Sequence, residues 1–332
     1  MGFALQFVKS QLFTSLPYPK YDFSGQTIII TGSNTGLGLE AARHIVRLGA
    51  SKVILAVRTI FKGEAAARDI IASTNAKGNV IEVWSLVLSD FDSIKLFGER
   101  VQALTRLDAL IQHAGILTKH FELVQGNESH ITINVISATL VGLLVLPKLQ
   151  ETSRVYGVKT HLSFVGSDLQ YIAKYKEGET SGSILEELAK KEDVNMSDRY
   201  SVSKLLLLYT VRELAVRAPL FKESKVVISK VTPGACQSGL FRDDMGWLEA
   251  MIQSIMVKLI ARTTEVGSRT LVHSVKPDLE DSAHGAFLMD CRVASNGSRV
   301  DSAKGQSEQK RWIEGLFPKL ESIAPGCTSV LA

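Results

Sequence analysis

Tyr200-Ser201-Val202-Ser203-Lys204 sets a phenol and an ammonium four positions apart. In a helix that spacing puts both on one face, one turn apart. A phenol with a reference pKa of about 10 is a poor base at neutral pH. A cation one turn away favours the phenolate and draws that pKa down. The pair can then pass a proton to or from a substrate oxygen. Tyr-x-x-x-Lys alone is common and mostly structural, so its weight depends on what surrounds it. Upstream, Ser167 closes Phe164-Val165-Gly166-Ser167, just after the apolar run His161–Val165. A hydroxyl at that strand end can hold a substrate oxygen beside Tyr200. Asn134 sits among apolar neighbours in Thr132-Ile133-Asn134-Val135. It is either a satisfied core amide or the holder of a water that links Lys204 to solvent.

A second constellation lies near the start. Thr27–Thr31 is a β-branched run that leads into Thr31-Gly32-Ser33-Asn34-Thr35-Gly36-Leu37-Gly38 and then into a helical stretch. Gly32 permits a tight turn, Gly36 a close backbone approach to a pyrophosphate, and Gly38 close helix-to-sheet packing. The helix N-terminus offers unpaired N–H groups and a partial positive charge to the phosphates. The strand–turn–helix context makes this a dinucleotide site rather than an ordinary turn. About 20 residues past such a turn, an NAD site places an acidic residue on the ribose 2′-OH. Here that place reads Ala56-Val57-Arg58, with Lys62 close behind. Arg58 can stack on adenine and pair with a 2′-phosphate, and Lys62 adds a second charge. The expected cofactor is therefore NADP(H). Its nicotinamide would exchange hydride while Tyr200 exchanges the proton.

The elements that must position these groups alternate. Strands are predicted at Thr27–Thr31, Val53–Val57, Val80–Leu86, Leu107–Ile111, His161–Val165, Lys225–Val231 and Gly285–Met289. Helices are predicted at Leu39–Leu48, Lys62–Ala72, Phe91–Leu104, Leu123–Leu149 and Arg199–Val216. Alternation of this kind implies parallel pairing through crossovers. The fold class is α/β, a doubly wound parallel sheet (Rossmann fold). We expect residues 1–22 to be an N-terminal extension and residues 23–332 to be one domain with insertions near 171–198 and 239–262. In the second insertion Trp247-Leu248, Met251-Ile252, Ile255-Met256 and Leu259-Ile260 recur every four residues. This apolar face is either packed on the core or a lid over an apolar substrate.

With Gly32, Gly36, Gly38, Asn134, Ser167, Tyr200, Lys204 and Pro233-Gly234 in place, the chain resembles the short-chain dehydrogenases/reductases from about Phe23 to its C-terminal helix. The stretch Ala261–Leu271 looks like the fungal, retinol-dehydrogenase-like branch, whose members often serve secondary metabolism. The resemblance implies that Asn134, Ser167, Tyr200 and Lys204 are catalytic. It implies a cofactor site of Gly32, Asn34, Gly36, Leu37, Gly38, Arg58, Lys62, Val87, His113, Tyr200, Lys204 and Ser238. It also implies a substrate-closing role for the segment after Pro233-Gly234. Three departures stand out. Gln112-His113-Ala114-Gly115 replaces the family's Asn-Asn-Ala-Gly, so His113 stands where an Asn braces neighbouring strands. Val87 replaces an Asp that meets the adenine, leaving backbone N–H groups to serve. Ser167 and Tyr200 are 33 positions apart, well beyond the family's usual spacing, so the excess must loop out and return.

Composition narrows the partners. A net charge of +4 without a basic run gives no case for nucleic acid. Three scattered cysteines, Cys236, Cys291 and Cys327, show no metal spacing and point to a reducing, cytoplasmic setting. No metal is expected. The N-terminal stretch is interrupted by Gln6, Lys9 and Gln11, too polar for a spanning helix of about 20 apolar residues. It is expected to pack on the core or, alternatively, to touch a membrane surface. The substrate expected is a bulky apolar alcohol, ketone or aldehyde such as a terpenoid or polyketide. The alternatives are a retinoid- or lipid-type dehydrogenase at a membrane, or a non-catalytic NADP sensor. A homo-oligomer is compatible with all three.

Overall fold

The computed structural model describes residues 3–192, 194–220, 224–237 and 260–331. Seven runs of mostly β-branched or apolar residues form strands: β1 Thr27–Thr31, β2 Lys52–Val57, β3 Ile81–Ser85, β4 Ala109–Gln112, β5 Lys159–Val165, β6 Lys225–Thr232 and β7 Phe287–Met289. An eighth, β8 Arg292–Ala294, adds an edge. Among the described residues they make one sheet in the order β8-β7-β6-β5-β4-β1-β2-β3, parallel except for the β7–β8 pair. The strand order reverses between β1 and β4. In open α/β sheets the crevice beyond the strand C-termini at such a reversal is where ligands bind.

The longer helices among the described residues are α1 Phe3–Phe13, α2 Gly36–Arg47, α3 Ile60–Thr74, α4 Phe91–Gln102, α5 Ser129–Tyr156, α6 Met196–Arg217, α7 Thr264–His273 and α8 Ala303–Ile323. Side chains alternate across a strand, and β1 shows the result. Ile29 enters the core shared with α4, α5, α6 and α8, while Ile28 and Ile30 enter the core shared with α2, α3 and α7. The sheet is thus covered on both faces. Helix α5 is long and apolar enough to cross a membrane, but 89% of its most apolar window is buried inside the protein. It is a core helix.

Three elements differ from expectation. The stretch predicted as helix from Leu123 opens instead as a hairpin of Leu123–Val124 and Asn127–Glu128. Gln125 and Gly126 both have positive φ there, and Glu128 caps α5 by accepting from His130 and Ile131. Strand β8 follows a turn in which Asp290 and Cys291 both have positive φ. The N-terminus forms α1, whose buried residues are Ser10 and Gln11, while Leu5, Val8, Leu12 and Phe13 are exposed.

Candidate active site

The ends of β1, β4 and β5, with helices α5 and α6, position Gly32, His113, Ser167, Asn134, Tyr200 and Lys204. At the end of β1, Gly32 has a φ of 67° and Gly36 one of 60°. A Cβ on Gly32 would sit 3.0 Å from the Ala114 backbone, and one on Gly38 would sit 2.8 Å from the Gly32 carbonyl. A Cβ on Gly36 would meet no heavy atom within 4 Å among the described residues. Gly32 and Gly38 are therefore packing glycines, whereas Gly36 faces open space. Asn34 and Thr35 lead into α2, and Thr35 provides no side-chain cap. The first-turn N–H groups around Leu37 are left for an anion. This cradle fits a dinucleotide pyrophosphate.

Arg58 and Lys62 flank the end of β2, both exposed, and neither forms an ion pair among the described residues. Two unneutralised cations at that strand end fit a ribose 2′-phosphate. Val87 follows β3, but its N–H already donates to Ser93 Oγ at 3.0 Å. One of the backbone N–H groups at this strand end is therefore already engaged. His113 takes up the bracing role directly. Its backbone N–H and that of Ala114 donate to Thr31 Oγ1 at 3.0 and 2.9 Å, and its Nδ1 lies 3.3 Å from the Thr31 carbonyl. Burial pushes its pKa down to about 4, so the ring is a neutral donor to β1 at physiological pH. Ser238 and residues 247–259 of the apolar face lie outside the described residues.

Tyr200 and Lys204 lie on α6, with exposures of 8% and 6%. Lys204 Nζ lies 5.4 Å from the Tyr200 ring and donates to the Val165 carbonyl at 3.0 Å. Burial pushes its pKa down to about 8. The Tyr200 phenol differs from expectation, because its pKa is raised. Burial is the main cause, the Asp168 carboxylate adds to it, and a hydrogen bond with Ser167 opposes it. At this separation the lysine does not overcome desolvation, and the group is held as a proton donor. Ser167 sits at the end of β5, accepts from the Leu169 N–H at 3.2 Å and reaches Asp168 Oδ1 at 3.4 Å. The long insertion loops out through short helical turns and is drawn back by Asp198, whose carboxylate accepts from the Lys174 and Tyr175 N–H groups.

Asn134 lies in a π turn, Thr132–Ser137, within α5. Such turns widen a helix and recur at functional sites. Its Oδ1 accepts from the Ile116 N–H at 2.8 Å, and its Nδ2 donates to the Ile116 carbonyl at 3.0 Å and to Ser203 Oγ at 3.1 Å. Both donors are used, and one lone pair of Oδ1 remains. A Cβ on Gly115 would lie 2.9 Å from Asn134 Oδ1 and 3.9 Å from Lys204 Nζ. The amide and the ammonium therefore flank the same point.

Residues not foreseen complete the surroundings. Asp168, 6% exposed, has its carboxyl pKa raised by burial. Lys230 on β6 is fully buried beneath Gly166. Arg262 pairs with buried Asp290 at 2.7 Å and donates to the Pro233 carbonyl at 3.1 Å. Gln11 of α1 donates to the Ala235 carbonyl at 2.8 Å, so α1 braces the Pro-Gly loop. Asp168 was readable as the neighbour of Ser167. Lys230 was readable as a lone charge inside the apolar run Val226-Val227-Ile228-Ser229-Lys230-Val231. Nothing local marked Gln11 or Arg262.

The model of the short chain dehydrogenase family matches residues 26–161. The short chain dehydrogenase/reductase dmxR8 of Cryptosporiopsis sp. is 42% identical over 97% of this chain and 99% of its own length. The short-chain dehydrogenase anuD of Penicillium roqueforti is 36% identical over 99% of this chain and 86% of its own. A crystal structure of a Mycobacterium paratuberculosis protein superimposes with a TM-score of 0.62 at 24% identity, covering 93% of this chain and 95% of that one. The glycine turn, the Ser–Tyr–Lys cluster and full-length similarity to fungal relatives agree: the chain belongs to the short-chain dehydrogenase/reductase family and is an oxidoreductase of the NAD(P)-using type.

Proposed function

We propose that this protein is an NADP(H)-dependent oxidoreductase that interconverts a ketone or aldehyde and an alcohol on a bulky apolar molecule of secondary metabolism, such as a terpenoid or polyketide. The observation that carries this reading is the convergence of Ser167, Tyr200 and Lys204 at the end of β5, in a chain whose glycine turn leaves open space at Gly36. When bound, the nicotinamide supplies the hydride. Ser167 holds the substrate oxygen, and Tyr200 donates its phenolic proton to that oxygen in the reductive direction. Lys204 adds positive charge behind the phenol, holds the ribose side of the cofactor and refills the proton through a water on the free lone pair of Asn134. The test is NADPH consumption by the purified protein with a panel of carbonyl compounds. Turnover of bulky apolar ketones supports the reading. A preference for phosphorylated sugars, or binding without any turnover as a sensor would show, overturns it.

Cofactor choice rests on Arg58 and Lys62. A charge-assisted hydrogen bond is worth about 1.5–3 kcal/mol, so Arg58→Glu should weaken NADPH roughly 10- to 100-fold. NADH affinity should hold or improve, since the new carboxylate suits a ribose 2′-OH. Titrating both cofactors into parent and variant checks this. An unchanged preference for NADPH in the variant would count against it.

One observation favours a second reading, a dehydrogenase at a membrane surface: the outward face of α1 carries Leu5, Val8, Leu12 and Phe13, the last 79% exposed. An amphipathic segment of this kind can lie in a lipid interface. If so, the protein floats with anionic liposomes, and Leu12→Asp with Phe13→Asp abolishes flotation. A parent protein that stays at the bottom of the gradient favours the cytoplasmic reading, in keeping with three free cysteines.

A further inference from the structure

Lys230 is a charged residue on β6, a strand whose neighbours on both sides are strands, and its exposure is 0%. Such a residue is almost never fully buried without a purpose or a partner. Its stem runs where a side chain on residue 166 would stand. A Cβ on Gly166 would collide with Lys230 Cε and lie 2.9 Å from its Cγ and Cδ. Residue 166 separates Val165, whose carbonyl holds Lys204 Nζ, from Ser167. The Lys230 ammonium end then donates twice: to the Gln170 side-chain oxygen, one turn beyond Ser167, and to the backbone carbonyl of Lys204 at 2.7 Å. The Phe287 ring lies 5.2 Å away. One side chain thus touches the β5 end, the turn that follows Ser167, and the catalytic helix at Lys204.

We propose that Lys230 is a positioning residue of the active site: it pins the Ser167 turn to the Lys204 backbone and so fixes the separation between the hydroxyl that holds the substrate oxygen and the phenol that protonates it. This inference rests on the catalytic reading of Ser167, Tyr200 and Lys204. Burying an amine is costly, and burial together with the Lys204 charge pushes the pKa of Lys230 well down. A group kept only for stability would be replaced by an apolar side chain at a gain. A group kept for geometry would be retained despite that cost.

The double variant Gln170→Leu/Lys230→Met separates the two. It replaces both hydrogen-bonding partners by apolar groups of similar shape, a change that is neutral or stabilising when no orphan is left behind. The expected result is a Tm at or above that of the parent, unchanged NADPH affinity, and a kcat lower by roughly 10- to 100-fold, the effect of a displacement of about 1 Å at a reacting centre. The single variant Lys230→Met should lose kcat to the same extent, with a smaller gain in Tm because Gln170 is left without its donor. A parental kcat in the double variant overturns the proposal. So does a kcat that falls only together with Tm and cofactor affinity, which marks Lys230 as structural. Tyr200→Phe is measured alongside. If that variant turns over normally, the catalytic reading fails; if it is inactive and the double variant is fully active, only the role of Lys230 fails.

Discussion

Tyr200→Phe should fold, bind NADPH as the parent does, and lose turnover by about 100- to 10,000-fold, the usual worth of a general acid or base. The substitution keeps the ring in its buried place and removes one oxygen. That oxygen hydrogen-bonds Ser167 and lies in the field of Asp168. Burial and Asp168 both disfavour the phenolate, so the free enzyme holds its proton until a developing alkoxide demands it. Loss of the hydroxyl also lifts a desolvation cost, so Tm should not fall. Single-turnover kinetics with the cofactor-loaded variant make the measurement. A rate near that of the parent would falsify the assignment of Tyr200.

The helix that carries Tyr200 and Lys204 was legible because two signals agreed: a four-residue spacing and a dinucleotide turn upstream. The parallel pairing followed from alternation, since each of the first five apolar runs had a helical stretch after it. What escaped the sequence escaped for identifiable reasons. Helix α1 was not foreseen because its pattern is inverted: its polar Ser10 and Gln11 face inward to Asp290 and Ala235, while its leucines face out. Hydrophobic periodicity reads such a helix backwards. Strand β8 was missed because its turn is Asp290-Cys291, and the usual signal for two successive positive-φ residues is Asn-Gly or Asp-Gly. The hairpin before α5 was overlooked because the helical reading of the apolar run from Ile131 onward was carried back through a polar stretch whose turn lies at Gln125-Gly126.

The electrostatics were harder to read than the geometry. A lysine one turn from a phenol suggests a lowered phenol pKa, and for groups in water that would follow. In the folded chain both are buried, and desolvation acts on each in the direction of neutrality. It raises the Tyr200 pKa and lowers that of Lys204. Spacing along a helix reports which groups meet; it does not report the dielectric in which they meet. The His113 departure shows the converse. A side chain that looks foreign at a bracing position reaches the same Thr31 strand through its ring nitrogen and its backbone.

Lys204→Met should produce opposite changes in activity and stability. In the proposed mechanism Lys204 serves both the phenol and the ribose side of the cofactor, so turnover should drop at least about 100-fold, with NADPH binding weakened as well. Stability of the cofactor-free protein should move the other way. Burial shifts Lys204 from 10.5 down to about 8. Below pH 8 the lysine is charged in both the folded and the unfolded chain, and the folded state bears the full desolvation penalty. Between pH 8 and 10.5 the unfolded chain keeps a proton that the folded chain has released, so parent stability rises with pH across that window. Above 10.5 both forms are neutral and the penalty is gone. Methionine never carries it. The variant should therefore be more stable than the parent at pH 7, by at most about 3 kcal/mol, less what is lost when the Val165 carbonyl gives up its donor. That advantage should shrink as pH climbs and vanish above 10.5. Denaturant titrations of both cofactor-free proteins at pH 7, 9 and about 11 resolve the trend. A stability difference that stays constant with pH would show that Lys204 is not titrating in a desolvated site, and with it would go the account of how the buried ammonium supports Tyr200.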